Sequence, residues 1–382
     1  AREAAPADVG GTLQVATYNV LNYFTTLTGG TGPDGTLDPR GADNATELER
    51  QTVKLVEGII GTGAEVLALE EIENNGFGSG SAIATLVNEL NAATDAHDYA
   101  FVDPTGVAGF VGSDAIMPAI IYDAAAVTLV HTEVLEYTED TAATTYALAK
   151  VLSDVVGRDI GDYDRNRPSV AATFVDAATG TEFTVVASHL KSKGDSGLVS
   201  LVNAAQAHVD GGGTGITQAD IDALKADPNY DQGDGQGFWN AVRTEAAVEL
   251  GDWIANSYNG GGVTNYLLLG DMNAYAEEDP VQALDDDAGL VDLIDAFIGQ
   301  DQAYSYVFDG MRGTLDQGLS DADLAAHVTG VTEWHINADE PDLIGYDTSF
   351  KNPAFYNDGV YGSSDHDPLI IGLDFGTDGL FS

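Results

Sequence analysis

Apolar residues along the chain follow two spacings, that of a strand and that of a helix. Residues 13–20 alternate between apolar and polar positions, which predicts a strand that ends near Asn19. Apolar residues at helical spacing begin after Asn44, a residue typical of a helix N-cap, and end near a pair of glycines. Residues 66–69 predict a buried strand. The first part of the chain therefore alternates strands with helices.

The same patterns continue to the end of the chain. Helices are predicted after Ser81 and at residues 218–225 and 239–254, and residues 194–237, rich in Gly and Asp, predict an insertion. Further strands are predicted at residues 99–102, 119–122, 127–130, 170–175, 182–187, 266–269 and 369–373, the last after a long excursion at residues 321–361. We predict a mixed α/β (α+β type) domain over residues 12–376, a flexible leader at residues 1–11 and a C-terminal tail at residues 377–382.

The charge and composition of the chain limit the classes of protein to which it can belong. The 382 residues include 62 Asp and Glu but 14 Lys and Arg, a formal net charge of −48. Many acids and few lysines predict a protein that works in high salt, where repulsion is screened over about 3 Å at 1 M; an acidic surface that holds divalent cations is the other interpretation. The absence of cysteine excludes disulfides and thiolate metal sites. No apolar run approaches the ~18 residues of a membrane span.

Polar side chains cluster where the predicted strands begin or end, which is where ligand sites of sheet proteins gather. The members are Asn19, Glu71, His189, Asp271, Asn273, Asp365 and His366. Their oxygen atoms suit Mg²⁺, Mn²⁺ or Ca²⁺ rather than structural zinc. A hard metal, a carboxylate and two imidazoles are what hydrolysis of a phosphodiester requires. The alternatives are a satisfied structural histidine, a solvated acidic strand end and an Asp-Asn turn.

Two acidic loops, residues 34–38 and 231–234, are candidates for a structural Ca²⁺ site. Neither has the spacing of a helix-loop-helix calcium loop, so we interpret both as loops.

Eight short stretches follow one another in a fixed order along nearly the whole chain. They are TYNVLNYF (17–24), EIENN (71–75), SHLKSKG (188–194), GDGQG (233–237), GDMNAY (270–275), YSYVF with LD (304–308 and 315–316), WHINADEP (334–341) and SDHDP (364–368). In this order they resemble the endonuclease/exonuclease/phosphatase superfamily, the DNase I-like proteins, and within it the bacterial extracellular nucleases. The resemblance implies a four-layer α/β/β/α sandwich with two packed mixed β-sheets.

The resemblance also implies a role for each site residue. Asn19, Glu71 and Asp365 would form the metal environment, with Glu71 as a direct ligand. His189 would contact the scissile phosphate, and Asp271 would orient or deprotonate the attacking water. The remaining roles fall to His366 as acid/base or phosphate clamp, Asp316 as the carboxylate that fixes its ring, and Asn273, Arg167 and Lys191 as substrate-binding residues.

We therefore expect a secreted, extracellular, monomeric endonuclease that hydrolyses DNA with Mg²⁺ or Mn²⁺ and is adapted to salt, without a membrane partner. It is expected to be either DNA-preferring or sugar-nonspecific, with RNA as a second substrate. One alternative is a phosphodiesterase or phosphatase of the same superfamily that acts on a lipid or a small phosphate ester, because fold alone does not settle the substrate. A non-enzymatic protein that binds calcium through its acidic loops is the other alternative.

Overall fold

Two large sheets and a separate hairpin contain the strands of the computed structural model, which describes residues 2–31, 39–106 and 109–376. In chain order the strands are β1 (Leu13–Tyr23), β2 (Val66–Glu73), β3 (Tyr99–Phe101), β4 (Ile116–Asp123), β5 (Val127–Leu135), β6 (Ser169–Asp176), β7 (Glu182–His189), β8 (Tyr266–Asp271), β9 (Val291–Asp292), β10 (Tyr306–Phe308), β11 (Met311–Gly313), β12 (Asp316–Ser320), β13 (Val328–Glu333) and β14 (Leu369–Leu373). The helices are α1 (Ala45–Thr62), α2 (Ala82–Ala93), α3 (Asp140–Val156), α4 (Leu198–Asp210), α5 (Gln218–Lys225), α6 (Asn240–Asn256), α7 (Asp279–Gln282), α8 (Leu293–Phe297) and α9 (Ala322–Ala325).

Both large sheets are mixed and share one plan. The first has the strand order β13-β14-β1-β2-β4-β3, and the second has the order β5-β6-β7-β8-β12-β9. In each sheet the central pair is parallel, β1 with β2 and β7 with β8, and every other neighbouring pair is antiparallel. Helices make the parallel crossovers, as parallel pairing requires.

Apolar side chains hold four layers together. Leu69 of the first sheet and Leu269 of the second belong to one buried cluster, which also includes Leu55 of α1. The outer face of the second sheet packs on α6, where Leu268 and Leu250 share another cluster. Each such leucine, buried in full, stabilises the fold by about 1.5–3 kcal/mol. The predicted four-layer α/β/β/α sandwich with two packed mixed β-sheets is confirmed.

The sheet plan explains why distant motifs meet. Parallel strands end at one edge of a sheet, and an antiparallel neighbour begins at that same edge. The ends of β1, β2, β7 and β8 and the beginnings of β12 and β14 therefore share one edge of the sandwich. In the second sheet His189 stands opposite Asp271, and Asp271 stands opposite Asp316.

The local signals at helix ends act as predicted. The side chain of Asn44 accepts hydrogen bonds from the backbone N–H groups of Thr46 and Glu47, and Gly63 ends α1 in a left-handed conformation with φ of 70°. Helix α5 has the predicted bounds, residues 218–225. Within the described residues, no helix is long and apolar enough to cross a membrane.

Other segments differ from the prediction. The excursion at residues 321–361 contains β13, an edge strand that pairs with β14. The insertion at residues 194–237 contains α4 as well as α5, and these helices pack with α3 in a cluster of their own. Residues 2–11, predicted as a flexible leader, contact the first sheet, where Val9 is buried. The domain boundary at residue 12 stays a prediction. The acidic loop at residues 34–38 and the predicted tail at residues 377–382 lie outside the described residues.

Candidate active site

The shared edge of the two sheets opens into a cleft of about 740 Å³. Seven of the ten predicted site residues line it, namely Glu71, Arg167, His189, Asp271, Asn273, Asp365 and His366. Asn19 and Asp316 lie buried beneath the cleft, where they contact Asp271 and His366 respectively. These nine side chains come from both sheets, so the structure brings together residues that are far apart in sequence.

Asp271 is the centre of the site. It ends β8 and is 3% exposed. Its Oδ1 accepts a hydrogen bond of 2.8 Å from the backbone N–H of Asn273, and its Oδ2 accepts one of 3.2 Å from Asn19 Nδ2. The same Oδ2 lies 3.6 Å from His189 Nε2 and 3.9 Å from His366 Nε2. Burial raises the pKa of Asp271, and the nearby imidazolium of His366 opposes that rise.

His366 is held by a carboxylate. Its Nδ1 lies 2.7 Å from Asp316 Oδ2, and Ser305 Oγ donates a hydrogen bond of 2.5 Å to the same oxygen. Burial by itself lowers the pKa of His366, but the charge of Asp316 and its hydrogen bond more than offset burial, so that the pKa lies well above its ordinary value. His366 is therefore an imidazolium at neutral pH.

His189 has the opposite character. Burial lowers its pKa well below the ordinary value, and the positive charges of Arg167 and His366 lower it further. His189 is therefore neutral at neutral pH. Its Nδ1 is buried and has no hydrogen-bond partner among the described residues, which is uncommon for a buried polar atom. The cleft thus holds two imidazoles near Asp271 Oδ2 whose pKa values are shifted in opposite directions.

A bulge in β2 aims Glu71 at the cleft. The pairing of β2 with β4 shifts register between Leu69 and Ile72, and Glu71 adopts a φ of 67°. Such a conformation costs on the order of 1–3 kcal/mol in a non-glycine residue and is typical of functional sites. Asn22 holds the carboxylate, because its backbone N–H and its side-chain Nδ2 both donate to Glu71 Oε2 at 2.8 and 2.7 Å.

Glu71 and Asp365 are suited to a divalent cation. Burial raises the pKa of Glu71, and repulsion by Asp365 raises it further, which a bound cation would relieve. Among the described residues, no group of three or more His, Asp and Glu has the geometry to hold a metal by itself. Mg²⁺ needs no such group, since it binds to one or two carboxylates and takes its other ligands from phosphate and water.

Asn19 and Asn273 both donate a hydrogen bond to Asp271. Asn19 uses its Oδ1 to accept a hydrogen bond from the backbone N–H of Leu21 and turns its Nδ2 towards Asp271, so in this structure it orients the carboxylate. Asn273 donates from Nδ2 to the backbone oxygen of Leu190 at 3.1 Å and lines the cleft. Their predicted roles, metal and phosphate binding, remain predictions.

Two arginines in the cleft share one carboxylate. Arg167 Nε donates to Asp114 Oδ2 at 2.9 Å, and Arg40 binds the other oxygen of Asp114. The two guanidinium groups lower the pKa of Asp114 despite its burial, so the carboxylate stays ionised and holds both of them. Sequence reasoning missed Arg40 and Asp114, because neither lies in a recognised stretch. One signal was available, namely the scarcity of arginine in this chain.

Lys193 lines the cleft, whereas Lys191, the lysine predicted to bind substrate, does not. Lys191 does not line the cleft; it is buried, and its Nζ donates to the hydroxyl and backbone oxygens of Ser192. Burial, reinforced by nearby arginines, lowers its pKa to about 7. Lys193 lines the cleft instead, paired with Glu278 and 4.4 Å from the ring centre of Tyr275.

Glu70 lies buried beneath the cleft. From the sequence alone it could not be distinguished from an exposed glutamate at the end of a strand. Glu70 is fully buried between the sheets, and Thr17 Oγ1 lies 3.1 Å from each of its oxygens. Burial raises its pKa well above the ordinary value, and the charges of Asp316 and Asp271 act in the same direction. The neutral, protonated form of Glu70 is therefore favoured relative to that of an exposed glutamate.

Comparison with known proteins gives a likeness in fold. No protein-family model and no curated protein matches the chain in sequence. The catalytic domain of human Nocturnin with bound sulfate is 15% identical, with a TM-score of 0.49 over 94% of this chain and 93% of that one. An endonuclease/exonuclease/phosphatase family protein of Bacteroides thetaiotaomicron is 14% identical, with a TM-score of 0.48 over 94% and 93%. A mannosyl-6-phosphatase of the same organism is 14% identical, with a TM-score of 0.44 over 95% and 100%.

Proposed function

We propose that this protein is a divalent-metal-dependent hydrolase of phosphodiesters, an endonuclease that cuts DNA and also accepts RNA. One observation carries the proposal: a buried carboxylate, Asp271, lies within 4 Å of two imidazoles whose pKa values are shifted in opposite directions. Groups whose surroundings separate their protonation states are the usual arrangement for acid-base catalysis.

The residues divide the chemistry among them. Glu71 and Asp365 would hold a Mg²⁺ or Mn²⁺ ion, which when bound neutralises charge on the phosphate. Asp271, with its raised pKa, orients the attacking water and accepts its proton. His366 presents Nε2 to the cleft as a donor, because Asp316 occupies Nδ1. It protonates the leaving oxygen or stabilises the charge that develops there.

The phosphate is held by the other side chains that line the cleft. Arg167 and Arg40 are fixed by Asp114 and supply positive charge, and His189 offers a neutral imidazole. Arginine forks match phosphate oxygens in geometry as well as in charge. Acidic residues line the cleft as well, among them Glu71 and Asp365, so the arginines and the divalent cation together would offset that charge for a polyanionic substrate.

We further propose that the protein acts as a monomer outside the cell, in high salt. The acidic composition supports the adaptation to salt, and the WHINADEP stretch at residues 334–341 supports the resemblance to secreted nucleases.

The test is cleavage of plasmid DNA and of labelled RNA with Mg²⁺, with Mn²⁺ and with a chelator. We expect nicking that requires the metal and that falls by at least about 10²-fold in His366→Ala and Asp271→Asn. His208→Ala is the matched control, because His208 lies on α4 outside the cleft. Intact DNA and RNA with every metal would refute the proposal, as would full activity of His366→Ala. Sphingomyelin vesicles and a phosphomonoester, assayed in parallel, test the alternative substrates.

A further inference from the structure

A strip of aromatic and apolar side chains runs from the candidate catalytic imidazole to the tip of a hairpin. The ring of Tyr306 lies against His366, with ring centres 4.6 Å apart. Phe308 follows on the same face of β10, two residues along, and Met311 stands directly opposite Phe308 on β11. All three side chains line the cleft.

The strip is exposed at its outer end. Phe308 is 58% exposed and Met311 is 70% exposed, although both are large apolar residues. They flank the turn at Asp309 and Gly310, whose φ angles of 50° and 76° are those of a tight hairpin turn. Gly313 stands opposite Tyr306, and a side chain at this position would overlap the ring of Tyr275. The ring of Tyr275 therefore covers the inner end of the strip.

The back of the hairpin is fixed to the body of the protein. Arg312, on the other face of β11, binds Asp339 through an ion pair of 2.7 Å. Its guanidinium also lies 4.2 Å from the ring centre of Tyr304. The hairpin therefore contacts the body of the protein behind its apolar face, although this ion pair is half exposed and contributes little stability.

We propose that Tyr306, Phe308 and Met311 form a stacking subsite for unpaired nucleobases next to the scissile phosphate, which makes the protein prefer single-stranded nucleic acid. The inference rests on the proposed function. Aromatic side chains beside a cationic groove are how proteins bind single strands, the bases on the rings and the backbone on the cations. Arg40, Arg167 and Lys193 line the same cleft as the strip.

The spacing of the strip favours separated bases over a duplex. Alternate residues on one face of a strand lie about 6.8 Å apart, whereas stacked bases in a duplex lie about 3.4 Å apart along the strand. A membrane surface is the other class of partner for an exposed apolar hairpin. The cations Arg40, Arg167 and Lys193 line the cleft, whereas the hairpin tip carries the acidic residue Asp309, so the charges favour a strand that enters the cleft over a flat anionic surface that meets the tip.

The experiment measures binding separately from cleavage. Fluorescence anisotropy with Mg²⁺, in an Asp271→Asn background, compares a labelled 12-nucleotide DNA strand, an abasic strand of equal length and a duplex. We expect the base-bearing strand to bind most tightly. The double variant Phe308→Ala, Met311→Ala should lose at least about fivefold in affinity for it, without loss for the abasic strand.

Substitutions at one position separate stacking from apolar contact. Phe308→Trp keeps an aromatic face and should retain affinity, whereas Phe308→Leu keeps apolar area without that face and should lose it. Phe355→Ala is the matched control, because Phe355 is a phenylalanine 51% exposed that does not line the cleft. All these side chains are exposed, so thermal melts should show unchanged folding.

Three results would overturn the subsite. The first is equal affinity of the wild type for base-bearing and abasic strands, and the second is unchanged affinity of the double variant for the base-bearing strand. The third is a double variant that loses binding to phosphatidylcholine–phosphatidylserine vesicles but keeps its binding to nucleic acid. Failure of the proposed function looks different. A protein whose strip binds single strands, but which cleaves none of them with any metal, would keep the subsite and lose the nuclease activity.

Discussion

His366 Nδ1 lies 2.7 Å from Asp316 Oδ2, and both residues are buried. The pairing fixes one ring nitrogen and leaves the other for the cleft. It also sets the charge, because Asp316 stabilises the imidazolium that burial would otherwise disfavour. Activity should therefore depend on Asp316 even though this residue does not line the cleft.

Asp316→Asn should shift the pH dependence of cleavage. Asp316 raises the pKa of His366, so removing its charge makes His366 lose its proton at a lower pH. Since the proposed donor works only when protonated, the alkaline fall of kcat should move to lower pH, with kcat at pH 8 reduced about tenfold or more. Imidazole NMR signals give the pKa directly. Asp295→Asn is the control, because it removes an exposed carboxylate. If the alkaline fall of kcat stays at the same pH in Asp316→Asn, Asp316 does not set the pKa of His366.

Glu71→Gln should weaken metal binding. The substitution preserves shape and the contact with Asn22, but it removes one of the two carboxylates, Glu71 and Asp365, that would hold the proposed cation. We expect the Mg²⁺ concentration for half-maximal activity to rise by about 10-fold or more. Calorimetric titration with Mg²⁺ gives a readout that does not depend on turnover. Glu277→Gln, an exposed acid outside the cleft, is the control; equal Mg²⁺ affinity in both variants would argue against Glu71 as a ligand.

Glu70→Gln should remove a pH-dependent destabilisation. The pKa of Glu70 is raised in the folded protein, so as pH rises past the ordinary value of 4.5 the unfolded chain releases a proton that the folded chain keeps. Folding stability from this group is present in full at low pH and falls as pH rises towards the folded pKa. The free energy of unfolding of the variant minus that of the wild type should therefore be larger at pH 8 than at pH 4. Urea denaturation at constant salt measures the difference; Glu89→Gln, on the exposed face of α2, should show none.

Salt should stabilise the fold. At a net charge of −48, self-repulsion is screened over about 10 Å at 0.1 M and about 3 Å at 1 M salt, so Tm should rise between these concentrations. Cleavage should rise and then fall, because salt also weakens the contacts with phosphate. Replacing Asp286 and Asp287, both exposed, with lysine should raise Tm most at low salt. A steady loss of stability from low salt upward would refute the argument.

The position of the site follows from local patterns. His189 and Asp271 lie at the ends of strands that the apolar pattern predicts, and the shared plan of the sheets places both at one edge. Helix ends such as Asn44 and Gly63 are equally local, and they lie where predicted. These features depend on a few neighbouring residues, so the sequence contains what is needed to find them.

Other features depend on contacts between distant residues. Glu71 faces the cleft through a bulge, which a strict two-residue alternation cannot show. Lys191 and Lys193 follow the end of β7, where that alternation no longer applies, so the pattern does not say which one lines the cleft. Strand β13 reads Val-Thr-Gly-Val-Thr-Glu and lies at an edge, so its weak apolar signal does not stand out from a loop.

Strand β14 lies between β1 and β13, so one of the last described segments completes the interior of a sheet that begins with one of the first. Asp365 and His366 lie a few residues before this strand, and His366 Nε2 lies 3.9 Å from Asp271 Oδ2 in the folded protein. We therefore expect the candidate site to be incomplete in a chain whose β14 is not yet paired. If the protein cleaves nucleic acid as proposed, the recovery of cleavage during refolding would report when β14 takes its place in the sheet.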